Sequence, residues 1–199
     1  MTRHIRSSLA LALALFLAAL ALSACGTYTL RSEPLDPPMA LPDFTLTDQT
    51  GQSFRLSDQR GRVVLLFFGY TSCPDVCPTT LADLAAVKRE LGTDAAQLQV
   101  VFVTVDPERD TQEVIRDYLA KFDPAFIGLH GSQEQLAQVY KAYGVTAIVP
   151  EHIAAARVHV VDHSPYVYVI DRQGRLRELL DPSDKLEDIV SDVRYLIHE

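Results

Sequence analysis

Residues 63–78 have the sequence VVLLFFGYTSCPDVCP, and this stretch decides the fold. Its first six residues are apolar without polar alternation, which is typical of a strand buried on both faces of a parallel sheet. From Pro78 onwards, apolar residues recur at helical spacing until Gly92 ends the segment. The stretch therefore predicts a central strand, a short loop and a helix.

Two cysteines lie four positions apart where the loop meets that helix. Free backbone N–H groups and the positive end of the helix dipole favour a thiolate at such a place. Cys73 and Cys77 are therefore predicted to be more nucleophilic, and better metal ligands, than ordinary cysteines, although the charge of Asp75 opposes this effect. The spacing alone permits a Cys73–Cys77 disulfide, a soft-metal site or a chance pair.

Strands and helices alternate along the rest of the chain, which predicts an α/β fold. Residues 44–56 have the pattern of an edge hairpin, and residues 100–105 that of a second buried strand. Another hairpin is centred on residues 171–174, and an amphipathic helix follows from Leu186. We therefore predict a thioredoxin-like central sheet flanked by helices, with an N-terminal β-hairpin and an inserted helix and loop.

Two more helices are predicted from capping boxes at their starts. Asp110 with Glu113 is predicted to begin one of them, and Ser132 with Gln135 the other. No period persists in residues 145–161, so this long segment is predicted to be an arm that can move toward the cysteines.

The N-terminus has the pattern of an export signal. Arg3 and Arg6 precede an unbroken apolar run that is too short to predict a membrane span. Leu-Ser-Ala-Cys, which ends at Cys25, resembles a bacterial lipobox, in which the cysteine is lipidated and becomes the mature N-terminus. An uncleaved anchor is the alternative, and in both cases the domain is predicted to lie outside the cytoplasm.

The chain is thus predicted to have three parts: a cleaved signal peptide (1–24), a lipidated, proline-rich tether (25–41) and one globular domain (42–199). The lipidated Cys25 would anchor the domain to the outer face of the bacterial cell membrane. The formal net charge of −8 argues against nucleic acid as a partner. A chain of 199 residues with 48% hydrophobic content can form a core that needs no disulfide for stability, so the cysteine pair is predicted to be functional.

Three motifs closely resemble those of the Sco/SenC family of thioredoxin-like copper-binding proteins. They are GYTSCPDVCP at residues 69–78, VDPERDT at 105–111 and VDHS at 161–164. The resemblance runs from about Pro42 to the C-terminus. It implies a thioredoxin-like fold and a role in handling copper.

In that family, the two motif cysteines and the histidine of the third motif bind copper destined for the CuA centre of cytochrome c oxidase. The resemblance therefore implies that Cys73, Cys77 and His163 bind copper here, and that the partner is oxidase subunit II or its copper-loading factors. Two thiolates and an imidazole suit Cu(I), whereas zinc would usually need a fourth protein ligand. His159 shares a face with His163 in an extended segment and is a weaker candidate for an auxiliary ligand.

Other residues of these motifs have two explanations each. Asp106, Glu108 and Arg109 follow a strand where sites form, but a turn and a helix cap explain them equally well. Asp162 is a candidate to orient the arm. Ser164-Pro165 precedes a strand, as the cis-proline of thioredoxins does.

Three functions remain open. The first is a copper metallochaperone that binds the ion through Cys73, Cys77 and His163. The second is a thiol–disulfide oxidoreductase, in which Cys73 attacks a partner disulfide and Cys77 resolves the mixed intermediate. The third is a disulfide-stapled binding module with neither metal nor redox exchange. The histidine separates the first two, because copper binding needs it and dithiol exchange does not.

Overall fold

The computed structural model describes residues 28–145 and 165–199. The strands in these ranges are β1 (Glu33–Ala40), β2 (Thr45–Asp48), β3 (Ser53–Arg55), β4 (Val63–Gly69), β5 (Leu98–Thr104), β6 (Ile127–His130), β7 (Val167–Ile170) and β8 (Arg175–Leu180). The α-helices are α1 (Val76–Leu91), α2 (Gln112–Leu119), α3 (Gln133–Tyr143) and α4 (Leu186–His198). The strands form one mixed sheet in the order β1-β8-β7-β4-β5-β6-β2-β3, so the predicted α/β class is confirmed.

β4 lies inside the sheet, and all seven of its residues are buried. It pairs in parallel with β5 and antiparallel with β7, so the sheet is mixed rather than parallel. Full burial of each large apolar side chain contributes about 1.5–3 kcal/mol relative to leaving it exposed. The apolar run therefore predicted the central strand correctly and also forms the middle of the hydrophobic core.

The ends of β4 and β5 lie side by side, because Gly69 pairs in register with Thr104. The chain leaves both strands at the same edge of the sheet. Residues 70–75 then lead into α1, and residues 105–111 lead into α2. Two motifs that are about thirty residues apart in the sequence thus meet at the edge where α/β proteins form their sites.

Helix α1 begins two residues before Pro78, from which it was predicted, and ends where predicted. Gly92 follows its last residue with a φ of 59°, a conformation that favours glycine. One face of the helix buries Leu81, Leu84 and Leu91. These residues belong to the hydrophobic core, so helical spacing in the sequence identified the buried face.

The predicted capping box at the start of α3 is confirmed. The Ser132 hydroxyl oxygen accepts from the Gln135 N–H at 3.3 Å, and the Gln135 side-chain oxygen accepts from the Ser132 N–H at 2.9 Å. Gly144 ends this helix with a φ of 67°. The two predicted hairpins, β2–β3 and β7–β8, and the closing helix α4 are also present.

The capping box predicted at Asp110 and Glu113 was wrong. The cap of α2 is Thr111, whose hydroxyl oxygen accepts from the Val114 N–H at 3.3 Å. Asp110 points inward instead and is fully buried. Strand β6, which follows α2, was not predicted, because four residues are too few to show a period.

Part of the predicted tether is a strand. Within residues 25–41, Glu33–Ala40 forms β1, which pairs antiparallel with β8 at the edge of the sheet. Its three prolines concealed it in the sequence, but an edge strand tolerates proline because not every N–H is needed for pairing. The folded part of the chain therefore begins before Pro42.

Among residues 28–145 and 165–199, no helix has the length and apolarity needed to cross a membrane. The predicted signal peptide and Cys25 lie outside the residues that the structure describes.

Candidate metal centre

Cys73 and Cys77 meet at the start of α1, as predicted. Cys73 lies in the loop and is partly exposed, whereas Cys77 is the second residue of the helix and is fully buried. The Cys77 N–H donates to Cys73 Sγ at 3.4 Å, so the two side chains lie next to each other. The Cys73–Cys77 disulfide therefore stays a prediction.

The helix start explains why the sulfur of Cys73 lies there. Asp75 is the residue before the helix, but its side chain makes no capping hydrogen bond. An N–H of the first turn normally donates a hydrogen bond to a side-chain oxygen of the capping residue. Here the N–H of Cys77 donates to the Cys73 sulfur instead, so the sulfur performs the function of a cap.

The two thiols lie in different environments. The hydrogen bond with Cys73 and burial raise the pKa of the Cys77 thiol, and the charge of Asp110 adds to this effect. The sequence had predicted thiolates favoured by the helix dipole for both cysteines. For Cys77 this was wrong, because burial and the neighbouring thiol outweigh the dipole. Both causes favour the protonated form of Cys77.

Gly69, the last residue of β4, lets the backbone approach the buried thiol. A Cβ atom built on it would lie 3.0 Å from Cys77 Sγ and 2.8 Å from a ring carbon of Phe102. Both contacts are shorter than side chains tolerate, so only glycine fits without displacing its neighbours. The Gly-Tyr-Thr start of the cysteine motif thus has a packing reason.

Asp110 links the cysteine loop to the next motif. Its carboxylate accepts from the Thr71 N–H at 3.1 Å, from the Thr71 hydroxyl at 2.5 Å and from the Thr104 hydroxyl at 2.7 Å. Burial raises the pKa of Asp110, and these hydrogen bonds counter the rise in part. Sequence reasoning missed this role, although Thr71, Thr104 and Asp110 all lie at the ends of the adjacent parallel strands β4 and β5.

The remaining charged residues of the second motif form a turn. Asp106 is buried and accepts from the Arg109 guanidinium at 3.4 Å. Its backbone carbonyl accepts from the N–H groups of Arg109 and Asp110 at 3.1 and 2.9 Å. The structure therefore gives Asp106 and Arg109 a clear structural role and does not bring them together with the cysteines in any hydrogen bond that it describes.

Tyr118 of α2 supplies a phenol near the pair. Its hydroxyl oxygen is buried and has no hydrogen-bond partner among the described residues. Burial raises the pKa of this phenol, and the nearby titratable groups of Cys77, Cys73 and Asp110 raise it further. Its ring contacts Phe102, with 6.2 Å between the ring centroids. Tyr118 and Phe102 thus form an aromatic pair between α2 and β5.

The histidines divide into two groups. His130 lies in β6, and its Nε2 atom is 3.2 Å from the Pro107 carbonyl oxygen, which is a structural contact. His152, His159 and the predicted ligand His163 lie outside the described residues, as do Asp162 and the Ser164-Pro165 bond. Within residues 28–145 and 165–199, no three His, Cys, Asp or Glu side chains form a group that could bind a metal ion.

Comparison with known proteins identifies the family. The model of the SCO1/SenC family matches residues 33–198. The chain belongs to the SCO1/SenC family. Its strand β1 falls inside the match, in agreement with a folded domain that begins before Pro42.

Members of the SCO1/SenC family resemble this chain in sequence and in structure. A SCO2-like protein of Rickettsia prowazekii is 38% identical over 132 residues, which cover 66% of this chain and 64% of that protein. The chain thus spans less than two thirds of this relative. The structure of ScoI from Bradyrhizobium japonicum, solved with copper bound, has a TM-score of 0.72 at 36% identity, over 79% of this chain and 99% of that chain. Apo Sco1 from Thermus thermophilus has a TM-score of 0.76 at 37% identity, over 86% of this chain and 99% of that chain.

Proposed function

We propose that this protein is a copper chaperone that binds copper through Cys73, Cys77 and His163. The observation that carries the proposal is the pair of cysteines side by side at the start of α1, in a chain that is similar to a copper-bound ScoI. Two thiolates and an imidazole form the soft ligand set that suits Cu(I). The proposal assigns His163 to complete this set from the segment that follows α3.

Binding would depend on the protonation of the thiols. A thiolate, not a thiol, binds the metal, so copper must displace the protons of both cysteines. Cys73 is partly exposed, and its sulfur already accepts the Cys77 N–H, which stabilises a negative charge. The hydrogen bond with Cys73 and burial raise the pKa of the Cys77 thiol. Copper would therefore meet Cys73 first, with Cys77 as the second sulfur.

The proposed acceptor is the CuA centre of cytochrome c oxidase, either on subunit II or through its loading factors. Transfer would proceed by stepwise exchange with the cysteine and histidine ligands of the acceptor, without a catalytic bond change. Lipidation of Cys25 would hold the protein at the outer face of the bacterial cell membrane. Because Tyr28 is already bound to α4, the three residues from Cys25 would keep the domain within about 10 Å of the lipid.

A second candidate function is thiol–disulfide exchange, favoured by one accessible and one buried thiol. The Cys73 thiolate would attack a partner disulfide, form a mixed disulfide and release one partner thiolate. Cys77, after losing its proton, would attack Cys73 Sγ and release the second partner thiolate. The partner gains two electrons, and this chain is left with the Cys73–Cys77 disulfide. Such a step could also prepare the acceptor's cysteines for copper.

The test of the chaperone is His163→Ala. Loss of one ligand should weaken Cu(I) binding at least tenfold, which is about 1.4 kcal/mol. The thiol pair should still cycle between dithiol and disulfide. His152→Ala is the matched control and should bind Cu(I) as the wild type does.

The same variants separate the two functions in cells with limiting copper. We expect His163→Ala to fail to restore oxidase assembly although its thiols exchange normally. If it restores assembly as well as the wild type while binding copper poorly, dithiol exchange is the physiological activity.

A further inference from the structure

The loop before α1 is held at two points. Asp110 binds both the N–H and the hydroxyl of Thr71, and the Cys73 N–H donates to the Tyr70 carbonyl at 3.3 Å. Thr71 is two residues before Cys73, so at most about 7 Å of chain separates their backbones. The position of the accessible sulfur therefore depends on where Asp110 holds Thr71.

Asp110 is a strong anchor for this loop. It is fully buried, and it also accepts from Thr104, which is fully buried at the end of β5. Hydrogen bonds between buried groups are costly to break, because no water replaces the lost partner. The loop is thus tied to the rigid centre of the sheet rather than to the surface.

We propose that Asp110 is a positioning residue for the thiol pair. By holding Thr71, it keeps Cys73 Sγ at the N–H of Cys77 and so sets the two sulfurs beside each other for copper. The expected change in copper affinity rests on the proposed function. The expected change in the dithiol–disulfide equilibrium does not. Without Asp110, the loop can leave the helix start, and Cys73 leaves with it.

Capping of α2 is performed by Thr111, not by Asp110. Thr111 accepts the hydrogen bond of the Val114 N–H, and Asp110 makes no capping bond. The two neighbours therefore allow a matched comparison. A change at Thr111 weakens the helix start, whereas a change at Asp110 releases the cysteine loop.

The experiment compares Asp110→Asn and Thr71→Val with Thr111→Ala in the reduced chain without metal. Asparagine keeps one acceptor oxygen where the carboxylate has two, and valine removes only the hydroxyl donor on the loop side. The first readout is the equilibrium constant between dithiol and disulfide in a glutathione buffer. Because Asp110 keeps the two sulfurs beside each other, loss of its hydrogen bonds should lower their effective concentration and shift this constant at least fivefold toward the dithiol.

The second readout is Cu(I) affinity, measured by competition with a chromophoric chelator. We expect Asp110→Asn and Thr71→Val to bind Cu(I) at least tenfold more weakly and Thr111→Ala to stay within twofold of the wild type. Unchanged values in both loop variants would overturn the proposal, as would a Thr111→Ala variant that reproduces their shift. If Asp110→Asn does not fold, Thr71→Val decides alone.

Failure of the chaperone function would be recognised separately. A wild-type protein that does not bind Cu(I) would contradict the proposed function, but it would leave the glutathione readout intact. A shift in the dithiol equilibrium confined to the two loop variants would then still support the positioning role of Asp110.

Discussion

Asp110 and Asp192 are both fully buried, and each accepts hydrogen bonds from a segment that is distant in the sequence. Asp110 accepts hydrogen bonds from the N–H and the hydroxyl of Thr71, in the loop that precedes Cys73. It also accepts from the Thr104 hydroxyl at the end of β5. Asp192, in α4, binds the N-terminal segment. It accepts from the Tyr28 hydroxyl at 2.6 Å and from two backbone N–H groups, those of residues 31 and 32, at 2.9 and 3.2 Å.

The two regions differ in what lies next to the aspartate. Beside Asp110 lie the thiols and the phenol of Tyr118. Beside Asp192 lies Glu178, which is fully buried. Burial and the charge of Asp192 raise the pKa of Glu178 to about 8.

The comparison shows that a buried aspartate is not by itself a sign of a functional site. The same arrangement, a carboxylate with three donors, holds a cysteine loop in one place and the segment before β1 in the other. What decides the role is the segment that is held. Disruption at Asp192 should therefore affect stability alone, whereas disruption at Asp110 should affect the thiols as well.

The largest effect on stability is expected for Asp192→Ala. The change leaves the Tyr28 hydroxyl and two N–H groups without their acceptor, which should lower the free energy of unfolding by about 2–3 kcal/mol. The stacking of Tyr28 on Tyr195, with 4.4 Å between ring centroids, should weaken with it. Urea denaturation followed by circular dichroism measures the loss.

Asp188→Ala is the matched control on the same helix. Its only described ion pair, with the half-exposed Arg31, should contribute no more than about 1 kcal/mol. Neither variant should change Cu(I) affinity. A tenfold loss of Cu(I) affinity in Asp192→Ala would show that the two regions are coupled and would contradict the separate roles of Asp110 and Asp192.

A smaller effect, visible through its pH dependence, is expected for Glu178→Gln. The folded-state pKa of Glu178, about 8, is above the ordinary value of 4.5. The folded state therefore keeps a proton that the unfolded state releases. The resulting stabilisation is fully present below pH 4.5 and is lost as the pH rises toward 8. Asp184 reinforces the raised pKa, and Arg177 opposes it.

We expect the wild type to lose about 1–2 kcal/mol of stability between pH 6 and 8 because of this group. Glu178→Gln should lack that loss and should be the more stable protein at pH 8. The measurement is urea denaturation at several pH values. Parallel stability curves for the two proteins across this range would show that Glu178 is not protonated in the folded state.

Local signals in the sequence predicted the elements that local interactions form. The apolar run of β4, the capping box at Ser132 and Gln135, and the glycine after α1 all satisfy rules that involve a few neighbouring residues. The helix start with its two thiols was predicted for the same reason. Each of these elements depends on the residue types within one or two turns.

The features that the sequence did not predict depend on contacts between distant segments. Asp110 and Thr111 are both residue types that cap helices well. The aspartate turns inward because it accepts hydrogen bonds from Thr71 and Thr104, which are distant in the sequence. β1 is a strand because β8 supplies a partner, not because its own prolines favour it. The raised pKa of Cys77 likewise follows from burial, which the sequence does not state.

The central claim, that Cys73 and Cys77 bind copper, is tested most directly by Cu(I) titration of the reduced and the oxidised protein. A thiolate cannot be a ligand and half of a disulfide at the same time. We expect the reduced protein to bind one equivalent of Cu(I) and the oxidised protein to bind at least a hundredfold more weakly. Equal stoichiometry and affinity in the two states would place the copper elsewhere and contradict the account.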